Sequence, residues 1–140
     1  MADRVIEELD EDESLRLISA GGIGRIAYQS RFGPAVLPVN YKWYDEAVVV
    51  RTARHSARDE DLQTGISGGD YLVAFEVDDY DLAERQGWSV LIQGPAHHLE
   101  SEAERESVAR SGVQPWAGGV RELFIRIVPH RITGRRIMPT

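Results

Sequence analysis

The stretch that decides the fold is GPAVLPVNYKWYDEAVVVRTA, residues 33–53. Its first half alternates. Ala35, Leu37, Val39, Tyr41 and Trp43 fall on one side of an extended chain, and Val36, Pro38, Asn40 and Lys42 on the other. The first set predicts a core-facing surface. The second, with a proline, an amide and a cation, does not suit a buried sheet face. Asp45-Glu46 sits where the chain must reverse, and Val48, Val49 and Val50 begin a partner strand that ends at Arg51-Thr52. A period of two on both sides of a polar tip predicts a β-hairpin.

Upstream, LDEDESLRLISAGGIG predicts a short helix. Asp10 is its N-cap, Glu13 closes a capping box, Leu15 and Ile18 share a face, and Gly21-Gly22 ends it. IGRIAYQS then predicts a strand, with RFGP as the turn into the hairpin. Downstream, YLVAFEVDDYD places Val73, Phe75 and Val77 opposite Leu72, Ala74 and Glu76. WSVLIQGPAHHLE predicts a long strand bent at Gly94-Pro95. SEAERESVARSG predicts a second helix, capped by Ser101 with Glu104 and stopped at Gly112. ELFIRIVPHRITGRRI predicts a final strand in which Pro129 marks a bend or an edge. Six short strands, mostly hairpin-linked, make a mainly β, antiparallel chain. Such a sheet hides its edges by closing on itself. The expectation is one domain over residues 1–140, a small β-barrel with short appended helices.

Composition narrows the function. A net charge of −7 argues against nucleic-acid binding, which needs a basic surface. There is no cysteine, so disulfides, thiolate-held zinc and thiol nucleophiles are excluded. The acidic first residues lack the apolar segment of a signal peptide, and no apolar run approaches the roughly 20 residues a membrane helix needs. The expectation is a soluble cytoplasmic protein. His55, His97, His98 and His130 show no metal-ligand spacing, and His97 and His98, adjacent on a strand, point to opposite faces. No phosphate loop, dinucleotide fingerprint or readable catalytic triad is present, so no catalytic residue is identified.

The order GIGRIAY, GPAVLPVNYKW, AVVVRTA, VAFEVDDYD, GWSVLIQGPA, PW, IRIVPHRITGRRI, from about Leu9 to Ile137, resembles the pyridoxamine 5′-phosphate oxidase-like family. GWSVLIQGPA and RITGRRI are its most specific parts. The resemblance implies a six-stranded antiparallel split barrel of the FMN-binding type, a homodimer, and FMN or a deazaflavin coenzyme at the subunit interface; some relatives bind haem. It also implies that the backbone of Pro38, Val39 and Asn40 runs along the flavin ring. Arg51, with hydroxyls from Thr52 and Ser56, would then receive the phosphate. The family's loop commonly reads Arg-Thr-x-x-x-Ser-Lys. This chain has Ala57 at the lysine position, with Arg58, or Arg54 and His55, as replacements for the charge.

Each of these residues also has a plainer reading. Arg51 suits a salt bridge at the barrel rim. Trp88 suits a core anchor; on the other face, Ser89 suits a flavin edge or water, and Gln93 a cofactor contact or a subunit interface. Trp116, in the PWAGG loop, suits burial under that loop or stacking on a partner's flavin. Arg126 suits a surface salt bridge, or a phosphate or interface contact. The implied function is an FMN-dependent oxidoreductase acting on a small-molecule substrate. The alternatives are a deazaflavin-dependent reductase and a non-catalytic flavin or haem protein.

Overall fold

The computed structural model describes residues 4–53, 71–99 and 122–139, together with 103, 106, 110 and 112. The strands are β1 (Arg4–Leu9), β2 (Gly22–Ser30), β3 (Gly33–Tyr44), β4 (Ala47–Ala53), β5 (Tyr71–Asp81), β6 (Gln86–His98), β7 (Glu122–Ile127) and β8 (Arg131–Pro139), with helix α1 (Glu11–Ile18) between β1 and β2. All pairings are antiparallel. The order β6-β5-β2-β3-β4-β7 closes because β7 pairs with both β4 and β6, giving a six-stranded barrel. β8 and then β1 extend the sheet outward from β6.

The quoted hairpin is β3 and β4. Leu37, Val39 and Tyr41 are buried, and Ala35 and Trp43 pack against the same core, as the alternation predicts. Val48 and Val50 complete that face from β4. Val73, Phe75 and Val77 of β5 join Val90 and Ile92 of β6 and Ile125 and Ile127 of β7 in the interior. Phe75 meets the Tyr41 ring edge-on at 5.0 Å. Val49 points outward but is also buried, in a second small cluster with Phe124 and Leu99. Asp45 and Glu46 both have positive φ (52° and 57°), the primed two-residue turn whose twist matches the strands it joins.

α1 is capped by the Asp10 side chain, which accepts from Glu13 N–H at 2.8 Å. The reciprocal half of the expected capping box is absent. Glu13 instead pairs with Arg16 and, at 2.9 Å, with Arg136 of β8. Ile18 is fully buried, and its carbonyl accepts from Tyr41 Oη at 2.9 Å, which ties the helix end to β3. Burial pushes the Tyr41 phenol up to about 12, so it stays a donor through the physiological range. α1 lies on β8 at Gly134, where a Cβ would come within 2.3 Å of the buried Ser14 Oγ. That close approach gives the RITGRRI segment its physical reason for glycine.

Two expectations are corrected. β1 was not foreseen. Its RVIEEL sequence lacks alternation, and it is a strand because β8 offers it an edge, Glu7 facing Arg136 and Glu8 facing Arg135. The single strand read across residues 122–137 is two. Val128, Pro129 and His130 oppose only Gly94 and Pro95, so Pro129 sits in a bulge, which spares the N–H it lacks. Val128 N–H donates to Pro95 O at 3.0 Å and His130 N–H to Gln93 O at 2.9 Å on either side of it. Here a Cβ on Gly94 would lie 2.0 Å from the Val128 carbonyl oxygen, so only glycine lets the bulge close. Of the second helix, residues 103 and 106 are helical, Arg110 N–H donates to Glu106 O at 3.2 Å, and Gly112 has φ +84°. Ser101 and Glu104 lie outside the described residues.

Candidate functional site

The outward face of the hairpin answers what its polar residues do. Asn40 stands directly opposite Arg51, and Arg51 opposite Phe124 of β7. The Arg51 guanidinium lies 5.4 Å from the Phe124 ring centroid, a cation–π distance that fixes the cation at the strand end. One pair along, Lys42 turns away and donates from Nζ to Ala20 O at 3.1 Å, satisfying a carbonyl beyond the end of α1. Lys42 is therefore committed to the helix, while Asn40 and Arg51 face each other across the ladder.

The other expected contacts fall in different places. Pro38 is exposed on the outer face, whereas the Val39 side chain is in the core, so only its backbone faces outward. Thr52 is in β4 by its backbone. Ser56, Arg58 and Trp116, with Ala57, lie outside the described residues. Ser89 is on the outer face of β6 opposite Asp78 and Arg135, and neither β3 nor β4 is a neighbour of that strand, so one protomer does not bring Ser89 to Arg51. Trp88 packs against the core. Arg126 is an ion-pair residue, on Asp45. Among the described residues, no group of three or more His, Asp or Glu could hold a metal ion.

Two further features of the outer face emerge only in three dimensions. On β2 and β5, Arg25 lies 3.1 Å from Glu76 and 3.5 Å from Asp78. Burial, then the hydrogen bond and charge of Asp78, push the Glu76 carboxyl up to about 7, against the opposing pull of Arg25. Further along the same strands lies a groove of about 630 Å³. Ala27, Pro34, Leu72 and Ala74 contribute its apolar lining, and His130 and Arg131, delivered by the β7–β8 bulge, stand at one end. Sequence reading missed it because its lining is small outward residues from separate strands. The available signal was alanine at positions 27 and 74, where an exposed strand face ordinarily carries bulkier polar side chains.

The fold described above is a six-stranded split barrel, and residues 10–136 match the family model described as pyridoxamine 5′-phosphate oxidase. The chain belongs to that family. It is 33% identical over 137 residues to the uncharacterized protein Rv0080 of Mycobacterium tuberculosis, covering 96% of this chain and 88% of that one. It is similar to the FAD binding protein from Mycobacterium smegmatis, with 29% identity, a TM-score of 0.73, and 93% and 98% of the two chains covered. It also resembles the conserved protein of unknown function DIP1874 from Corynebacterium diphtheriae, with 27% identity, a TM-score of 0.70, and 93% and 96% covered. No described helix is long and apolar enough to cross a membrane.

Proposed function

We propose that the protein is a flavin-dependent oxidoreductase that works as a homodimer, with the flavin phosphate held at Arg51. The observation that carries this is the cation at the end of β4, paired across the ladder with Asn40, in a chain similar at 29% identity to an FAD binding protein. The donor set fits the group. Arg51 supplies a guanidinium suited to phosphate and Asn40 an amide, and the hydroxyls of Thr52 and Ser56 follow in sequence. The backbone at Pro38, Val39 and Asn40 would run along the ring edge.

When bound, a flavin supplies the hydride chemistry, and the chain's part is to bind, orient and exclude water. This fits a barrel with no catalytic dyad beside Arg51 among the described residues. The dimer is supported by exposed apolar side chains on the outer face, including Val36 at 63% exposure, of the kind that mark interfaces when grouped.

FMN is the first reading. The M. smegmatis relative, an FAD binding protein, favours FAD as a second. The test is an absorption spectrum of the purified protein followed by fluorescence titration of the flavin-free form with FMN, FAD and riboflavin. Bound flavin, with riboflavin weaker than FMN by at least tenfold, is the expected result. No flavin binding, or equal affinity for riboflavin, overturns the phosphate assignment. Light scattering at micromolar concentration tests the dimer, and a mass of 15.7 kDa would overturn it.

A further inference from the structure

The groove on β2, β5 and β6 is separate from the Asn40–Arg51 pair. Pro34, in its lining, and Asn40 share strand β3 but stand six residues apart, on the order of 20 Å along the strand. Its volume of about 630 Å³ falls in the range of small-molecule sites. Ala27 and Ala74 are register partners with no side chain beyond Cβ, so the middle of the lining is flat. Leu72, 74% exposed, stands along the groove as an apolar wall. An exposed leucine beside a flat apolar strip is what a planar apolar ligand would cover.

The polar side chains of its lining include Gln29, Gln93, His130 and Arg131. Gln93 lines the groove through its outward side chain and makes no side-chain hydrogen bond to any described residue. Arg131, its register partner on β8, is exposed and forms no ion pair with any described residue. No carboxylate lines the groove. In a chain of net charge −7, an arginine left without a counter-charge at the end of an apolar groove is notable. The bulge is what puts it there. The extra residue in Val128-Pro129-His130 restarts the ladder at Gln93–Arg131, so that Arg131 faces outward beside Gln93. Bulges commonly re-aim a side chain in this way beside functional sites.

We propose that this groove is a second small-molecule site, distinct from the flavin site, for a flat aromatic monocarboxylate. The ring system lies over Ala27 and Ala74 against Leu72. The carboxylate accepts from the Arg131 guanidinium, whose two parallel N–H groups match its two oxygens. The Gln93 amide donates to the same group or to a ring substituent beside it.

The test is isothermal titration of the full chain with 2-naphthoate and with its neutral analogue 2-naphthalenemethanol. The expected result is saturable 1:1 binding of naphthoate, with the alcohol weaker by about tenfold or more, as befits a charge-assisted contact. Arg131→Ala should weaken naphthoate by a similar factor and leave the alcohol unchanged, while Arg131→Lys restores part of the loss. Ala74→Phe, which fills the lining from an outward position, should abolish both. Arg135→Ala, on the same face outside the groove, should change neither. Equal binding of acid and alcohol, or an unaltered Arg131→Ala, overturns the proposal. So does competition by FMN, which would make the groove the flavin site itself. So does naphthoate affinity that falls as protein concentration rises, which would make the groove a contact between copies of this chain. Because the flavin titration reads Arg51 and this one reads Arg131, either assignment can fail alone.

Discussion

Arg126 of β7 holds Asp45 at two points, donating to its carbonyl oxygen at 3.1 Å and lying 3.6 Å from its carboxylate. The contact clamps the tip of the β3–β4 hairpin, where two non-glycine residues occupy the left-handed region. Glu46→Gly should therefore raise stability by about 0.5–1 kcal/mol. It relieves a left-handed cost of about 1–2 kcal/mol and gives back part of that through a looser unfolded chain. Arg126→Ala should lower stability by at most about 1 kcal/mol, since the pair is partly solvated. Urea unfolding of both variants checks the sign, and a destabilised Glu46→Gly would contradict the turn geometry.

Gly134→Ala should cost about 1–3 kcal/mol, the range for overpacking, because its Cβ would meet Ser14 Oγ. Ser14→Ala in the same chain should recover part of that loss, since it removes the atom in closest conflict. A double-mutant cycle by thermal unfolding measures the coupling. Strict additivity of the two changes would show that α1 does not rest on β8 at this point.

Arg136→Ala and Arg51→Ala should separate stability from binding. Arg136 pairs with Glu13 and faces Glu7 of β1, so its loss should lower the melting temperature and leave flavin affinity within about twofold. Arg51→Ala should weaken FMN by about 10- to 150-fold. Fluorescence titration of the two variants settles which arginine serves the phosphate.

The carboxyls predict opposite pH effects. Glu76 has its folded pKa raised to about 7, so the folded state holds its proton more tightly than the unfolded chain does. Its contribution is present in full below pH 4.5 and declines as pH rises towards about 7. Arg16 first, then Arg136, hold the Glu13 carboxyl below its usual range. Its contribution is present above pH 4.5 and is lost as pH falls. Glu76→Gln should flatten the decline between pH 4.5 and 7 and raise stability at pH 8, read by urea unfolding across pH. An unchanged slope would mean that Glu76 titrates in the folded protein as it does in the unfolded chain.

The residues that were legible in the sequence are those whose pattern is local. The inward set Leu37, Val39 and Tyr41 and the inward set Val73, Phe75 and Val77 follow from alternation, and the Asp10 cap from its residue type. β1 was not legible, because Arg4–Leu9 becomes a strand only through a partner at the far end of the chain. Pro129 announced a break but not its form, since a bulge is defined by the count of residues on the opposite strand. At the site, Asn40 and Arg51 were readable as two ends of one hairpin. The groove was not, since Ala27, Ala74 and Arg131 meet only after β2, β5, β6 and β8 have been ordered in the sheet.

The pairing of β1 with β8 has a mechanical consequence. Arg4 faces Pro139 and Leu9 faces Gly134, so the two ends of the ladder nearest the termini lie side by side. Antiparallel ladder bonds run perpendicular to their strands. A force pulling the termini apart therefore loads those bonds one at a time, from Arg4–Pro139 inward, as a zipper opens. This edge should peel at low force up to α1. The barrel resists when the pull reaches β2 and the ladder that joins β8 to β6.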